Sequence, residues 1–236
     1  MNKIWAIANK ELAAYFKSPI AYIILVITIA IFNIFFFMII DSNAEATLRD
    51  VFKVMEFLFV FIIPLLTMKT FAEEKAAGTM EFLMTTPTTN TQIVFGKFLG
   101  SFIFFTLIVA LTLAYYFIME AFGAPDRAAV LTGYLGVWLE GAMFIAIGLL
   151  VSSLTRSQIV AAIGSYIILF LLYFSISFIQ YTEGATEAFV RYLSTSSHSE
   201  NFSVGLITAS DLMYYIGSIL FCLVLTRLSI ENRLWR

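Results

Sequence analysis

The sequence predicts an all-α, polytopic membrane protein with six transmembrane helices. Of its 236 residues, 61% are hydrophobic and 13% charged, with a mean hydropathy of +0.92. A soluble domain carries about 45–50% apolar and about 25% charged residues. Six long apolar runs approach the roughly 20 residues that cross ~30 Å of hydrocarbon. The residue-by-residue alternation of a membrane barrel is absent. Backbone groups in lipid must pair within their own segment, so runs of this length must be helices.

The runs at 19–40, 98–119 and 157–182 contain no charged residue. The run at 54–71 has Glu56 and Lys69 near its ends, where side chains snorkel toward headgroups. The span at 131–153 is apolar apart from Glu140, and the last, 211–226, is short and uncharged beyond Asp211. Lys3 and Lys10 precede the first span, but no small-residue cleavage site follows it, so it is expected to be retained.

Six spans put both termini on one side. Lys3, Lys10, Lys17, Lys69, Lys75, Lys97, Arg156, Arg227, Arg233 and Arg236 would lie there, against Arg49, Lys53, Arg127 and Arg191 opposite. The positive-inside rule makes the termini cytoplasmic. The expected location is therefore a cytoplasmic (inner) membrane, bacterial or archaeal.

No connection is long enough for a soluble domain, so 1–236 is read as one membrane domain. Segment 1–18 is amphipathic. Trp5, Ala8, Leu12, Tyr15 and Phe16 fall on one side, and Lys3, Lys10 and Lys17 on the other. It is expected to lie at the interface, ending at Pro19, with lysines toward anionic headgroups or a partner. Segment 72–97 reads as helix, turn, helix. Gly78 breaks the first helix, and Met80, Leu83 and Met84 share one face of a short helix with Glu81 on another. Pro87 ends that helix, and Thr89 with Gln92 forms a capping box for the next. The alternative for this segment is an ordinary amphipathic loop lying on lipid. In the outer segment 183–210, residues 185–193 suit a short helix, 194–199 a polar break, and 202–210 a re-entrant half-helix buried by protein. Gly96 with Gly100, the glycines at 133, 136, 141 and 148, and Ala161, Gly164 and Ser165 mark close helix contacts.

Several chemistries are excluded. Net charge is −2, without the basic clusters that bind nucleic acid. Cys222 is the only cysteine, so no disulfide forms within the chain. Gly96-Lys97 is followed by Phe98 and lacks the preceding glycine of a Walker A loop. GxSxG and HExxH are missing, which argues against an intramembrane hydrolase. One histidine and one cysteine make no metal site, and His198 is expected to be a solvated loop residue. Glu140 is the intramembrane acid, either facing a substrate cavity or bonded to a neighbouring span, with Asn33, Glu56 and Asp211 as candidate partners.

The stretch Glu73-Glu74-Lys75-Ala76-Ala77-Gly78-Thr79-Met80-Glu81-Phe82-Leu83-Met84-Thr85-Thr86-Pro87 resembles the signature of ABC exporter permeases of the type-2 class, roughly E-[EK]-[KR]-x-x-G-T-[LIM]-E-x-L-[LM]-x-[TS]-P. Ile93-Val94-Phe95-Gly96-Lys97-Phe98-Leu99-Gly100 is similar to the stretch that follows it in that family. Lys10-Glu11-Leu12 with Phe16 and Ser18-Pro19 resembles the family's amino-terminal helix. The nearest resemblance is to small permeases associated with gliding motility.

The resemblance implies the type-2 exporter permease fold, with an amino-terminal interfacial helix, a cytoplasmic coupling helix and outer re-entrant helices. It implies that segment 73–97 couples to a separate ABC ATPase through Glu73, Glu74, Gly78, Thr79, Met80, Glu81, Leu83, Met84 and Pro87. The acids would meet basic residues there, and Met80, Leu83 and Met84 would fill its groove. Lys10, Glu11 and Phe16 would belong to the bracing helix. ATP and magnesium would be held by the ATPase dimer, leaving this chain without a cofactor. Each of two docking grooves needs a coupling helix, so a second permease copy, identical or related, is implied. A periplasmic partner and a lipidic, amphipathic or polymer substrate complete the expectation. The competing readings are a membrane scaffold for an ATPase-driven motility or secretion assembly, and an intramembrane enzyme.

Overall fold

The computed structural model describes residues 3–42, 47–80, 88–123, 125–181 and 183–231. The elements are α1 (Lys3–Lys17), α2 (Pro19–Ser42), α3 (Arg49–Thr67), α4 (Lys69–Ala76), α5 (Asn90–Thr112), α6 (Ala114–Phe122), α7 (Arg127–Leu154) and α8 (Gln158–Phe174). A 3₁₀ segment (Ser175–Tyr181) follows, then α9 (Ala185–Leu193), α10 (Thr195–Ser203) and α11 (Ala209–Glu231). The described residues contain no strand. Six helical stretches are long and apolar enough to cross a membrane: Pro19–Asp41, Arg49–Ala76, Asn90–Ala121, Arg127–Leu154, Gln158–Ile179 and Ala209–Glu231. They alternate in direction. Below, the face carrying α1, the end of α4 and the end of α11 is the terminal face, and the other is the far face.

The spans differ from their sequence bounds mainly in length. The third begins at Asn90 rather than 98, because Thr89 and Gln92 cap it reciprocally: Gln92 N donates to Thr89 Oγ1 (3.3 Å) and Thr89 N to Gln92 Oε1 (3.1 Å). The last runs from Ala209 to Glu231, since its polar ends continue the helix past the apolar stretch. Asp126 caps α7, accepting from Ala128 N at 2.9 Å.

Helix α7 is the axle of the bundle. In its most apolar stretch 83% of residues are buried, against 17% for α2. Glycines open its surface to neighbours. A Cβ on Gly133 would lie 2.2 Å from the ring of Phe52, on Gly136 2.7 Å from Phe202, on Gly141 2.0 Å from Phe105, and on Gly148 2.1 Å from Thr67 Oγ1. Each missing methyl admits a side chain from α3, α5 or α10. In lipid, where water supplies no drive for helix association, such close packing is what holds helices together. Phe105 in turn meets Phe59 edge-on at 4.8 Å.

The far face departs most from expectation. The break expected at 194–199 is confined to Ser194: the polar stretch Thr195–Ser203 is helical, and the chain turns at 204–205 where the half-helix of 202–210 was expected. His198 is not a solvated loop residue but is buried, 7% exposed. It bonds through Nδ1 to Asp211 Oδ1 (2.6 Å) and through Nε2 to the Tyr192 carbonyl (3.0 Å), and it stacks on Tyr214 at 4.1 Å. Asn201 Nδ2 and Thr208 Oγ1 donate to Asp211 Oδ2 at 2.9 and 2.6 Å. The polar run folds because a second polar set meets it. Glu56, expected to snorkel, is 5% exposed and accepts from Ser199 Oγ at 2.9 Å. The span simply starts earlier, at Arg49, which carries Glu56 inward.

Candidate functional site: a charge latch on the terminal face

Helix α1 packs chiefly along α5. The GxxxG of α5 provides the track: a Cβ on Gly96 would lie 2.6 Å from Ile7 Cβ, and one on Gly100 would lie 2.6 Å from Glu11 Cβ. The buried side of α1 is therefore Ile7 and Ala8, continued by Glu11, Leu12 and Tyr15. Trp5 and Phe16, expected on that side, are exposed, 50% and 42%. The apolar arc is wider than the contact with α5, so its edges are left facing outward. Phe16 still meets Phe104 edge-on at 5.9 Å.

Glu11 lies on this inner side because a cation waits there. Lys97, counted among the cations on the side of the termini, is 1% exposed. Its Nζ donates to Glu11 Oε1 (2.6 Å) and the Thr70 carbonyl (2.7 Å), and pairs with Glu74 Oε2 (2.9 Å). The ammonium thus makes two hydrogen bonds, to α1 and α4, and one further ion pair, to α4. The ring of Phe71 lies 5.1 Å from Nζ. Lys10 completes the set by donating to Glu74 Oε1 at 3.2 Å. Lys10, Glu11, Glu74 and Lys97 sum to zero charge, the condition under which buried ions are tolerated.

Tyr15 seals the latch on the membrane side. Its hydroxyl donates to the Leu66 carbonyl and meets Ser101 Oγ, both at 3.0 Å, and its ring stacks on Phe104 at 4.9 Å. Burial pushes its phenol up to about 12, so it stays a donor at neutral pH.

Helix α4 is also tied to α7. Ser152 Oγ accepts from Phe71 N and Ala72 N, each at 3.1 Å, and donates to the Met68 carbonyl at 3.1 Å. Lys75 Nζ donates to the Ser153 carbonyl. Beyond Ala76 the chain turns at Gly78, whose φ of +70° lies in the left-handed region, with nothing near a Cβ there. Glycine is needed at this position for its backbone and not for space. Thr79 Oγ1 donates to the Glu74 carbonyl at 3.3 Å.

The sequence-derived coupling residues are thereby divided. Glu74 is turned inward to Lys10 and Lys97, and Glu73 is exposed. Met80, expected to fill a partner's groove, is 5% exposed and belongs to the chain's own core. Gly78 and Thr79 lie at the surface. Glu81, Leu83, Met84 and Pro87 lie outside the described residues. Lys97 is the residue of this cluster to which the sequence assigned no role of its own. Its signal was Glu11, an acid on the apolar side of an amphipathic helix.

Glu140 lies elsewhere, in mid-α7, fully buried. Thr195 lies close enough to act on its carboxyl group, without a hydrogen bond of good geometry. Of its expected partners, Asn33 accepts from Tyr115 (2.8 Å) and Asp211 is bonded to His198, while Glu56 is close enough to act on it electrostatically. Among the described residues no group of three or more His, Cys, Asp or Glu is arranged to hold a metal ion.

A bundle of six helices long and apolar enough to span a membrane, with a surface helix latched against two of them, defines a polytopic membrane protein. The family described as ABC-2 family transporter protein matches residues 5–231, nearly the whole chain, and the chain belongs to it. It is a permease subunit of an ABC transporter. A comparison with curated proteins finds no match.

Proposed function

We propose that this chain is the membrane half of an exporter driven by ATP hydrolysis on a separate ABC ATPase dimer, with segment 73–97 as the coupling element. The observation that carries this reading is the neutral latch around Lys97. It joins α1, α4 and α5 at the root of the turn at Gly78, so a load applied to that turn reaches two spans and the surface helix together. Glu73, Gly78 and Thr79, with Glu81, Leu83, Met84 and Pro87 beyond them, form the docking surface. Glu74 and Met80 support it from within.

The terminal face is cytoplasmic in this reading, and the membrane is the inner membrane of a bacterium or archaeon. ATP and magnesium reside in the ATPase. Each ATPase dimer needs two coupling elements, so two permease copies pack with two-fold or pseudo-two-fold symmetry. The lipid-exposed side of α2 leaves room for such a partner. ATP-driven closure shifts the permease between access states, and the substrate's differential affinity for those states sets the direction of transport. Glu140 and the cap formed by α9 and α10 lie on the substrate side of this scheme.

Cysteine cross-linking tests the docking. In a Cys222→Ala background, Glu73→Cys is expected to form an adduct with the co-purifying ATPase, while Ser210→Cys on the far face is not. Adducts at position 210 and none at 73, with the ATPase bound, would reverse the orientation and end the proposal.

A further inference from the structure

Between α1 and α4 the terminal face holds a cavity of about 440 Å³. Its α3–α4 wall runs, moving away from the membrane, through Leu66, Lys69, Thr70, Glu73 and Glu74. Spacings of three and four residues put these side chains on one stripe. Their order is apolar, cationic, hydroxyl, anionic.

Two of these charges are uncommitted. Glu74 is occupied by Lys10 and Lys97, but Lys69 and Glu73 carry no ion pair with any described residue. Thr70 Oγ1 is buried, with the Tyr15 hydroxyl close enough to act on it, so the free charges of this stripe are Lys69 and Glu73.

We propose that this cavity binds the headgroup of a zwitterionic phospholipid bearing a primary ammonium. Such a lipid presents the complementary order outward from the bilayer: acyl chain, phosphate, ammonium. The glycerol end lies toward Leu66, the phosphate meets Lys69, and the ammonium meets Glu73. Lys69 and Glu73 lie about 6 Å apart along the axis at 1.5 Å per residue, a separation that a two-carbon phosphate-to-amine link can bridge with side chains reaching from either end.

The charge balance selects this class. Lys10, Lys69 and Lys97 against Glu11, Glu73 and Glu74 make the lining neutral, so a neutral headgroup leaves no residual charge. An anionic glycerol headgroup would give the site a net charge of −1 and offer Glu73 only neutral hydroxyls in place of a cation. A quaternary choline has no proton to donate to it. The cavity lies at the bilayer boundary, since Leu66 belongs to a membrane-crossing stretch and Ser18, at the point where α1 hands over to the first span, also lines it. The proposal rests on the membrane fold and concerns the permease free of its ATPase, since Glu73 cannot hold the ammonium and serve the docking surface at once.

The test uses the full-length chain in nanodiscs made from equal parts of ethanolamine, choline and glycerol phospholipids, followed by detergent extraction and mass spectrometry of the retained lipid. The ethanolamine lipid is expected to be retained preferentially. Lys69→Ala and Glu73→Gln should each lower its retention about tenfold, the effect of losing one charge-assisted contact. Glu73 is exposed, so Glu73→Gln keeps the fold even where Lys69→Ala does not. Equal retention of the three lipids, preference for the glycerol lipid, or retention unchanged in Glu73→Gln would each overturn the assignment.

Discussion

Lys97→Met removes the ammonium while nearly conserving the length of the side chain. Two carboxylates, on Glu11 (12% exposed) and Glu74 (16%), then lose their buried counter-charge, and the Thr70 carbonyl loses its donor. Lys10 compensates only Glu74, from a 61% exposed position. Breaking one side of a buried pair costs about 3–5 kcal/mol. At about 2–4 °C per kcal/mol for a chain of this size, the melting midpoint should fall by roughly 6–20 °C. Adding Glu11→Gln should restore part of this loss, because one of the two stranded charges is gone. A double-mutant cycle should return a coupling between Glu11 and Lys97 near the upper end of about 0.5–3 kcal/mol. Thermal unfolding of purified variants in detergent, read by intrinsic fluorescence, measures both quantities. A Lys97→Met midpoint within about 3 °C of the parent, or additive effects of the two substitutions, would refute the latch.

The other predictions concern separate parts of the molecule. Gly141→Ala places a methyl 2.0 Å from the Phe105 ring and should destabilise the chain by about 1–3 kcal/mol in the same assay. Gly78→Ala meets no obstacle but must hold φ at +70°, costing about 1–2 kcal/mol locally; it should leave the midpoint nearly unchanged while lowering permease-dependent stimulation of the ATPase. His198→Ala leaves Asp211 Oδ1 and the Tyr192 carbonyl without their partner, a loss of about 1–3 kcal/mol, and should raise protease cleavage within 183–210. Glu140→Gln keeps shape and burial, so normal membrane levels are expected, with transport lost; unchanged transport would assign Glu140 a purely structural place.

The spans were legible because length and the absence of charge decide them without reference to neighbours. The capping box and Gly78 were legible for a similar reason, since each is a local backbone requirement. Glycine spacing revealed that α5 and α7 would be approached closely, but not that Ile7 and Phe105 would be the side chains to do so. Lys97 was hidden because a lysine beside an apolar run reads as a headgroup contact. Only the fold brings Glu11, 86 residues away in the chain, to 2.6 Å from it. The helix Thr195–Ser203 was hidden by composition: threonine, serine and histidine in succession signal a loop, and they become a helix here because Glu56 and Asp211 arrive from other spans to meet them.

One hydroxyl sets how movement can pass through this bundle. Ser152 receives two consecutive amide protons from α4 and returns its own to a carbonyl of the same stretch. Such a grip has no intermediate setting: sliding α4 along α7 by part of a turn would break all three contacts before making any replacement. In the coupling proposed above, small thrusts from the surface would be absorbed and a sufficient one passed whole into α7, so the stroke would arrive as a discrete step and not as a graded strain.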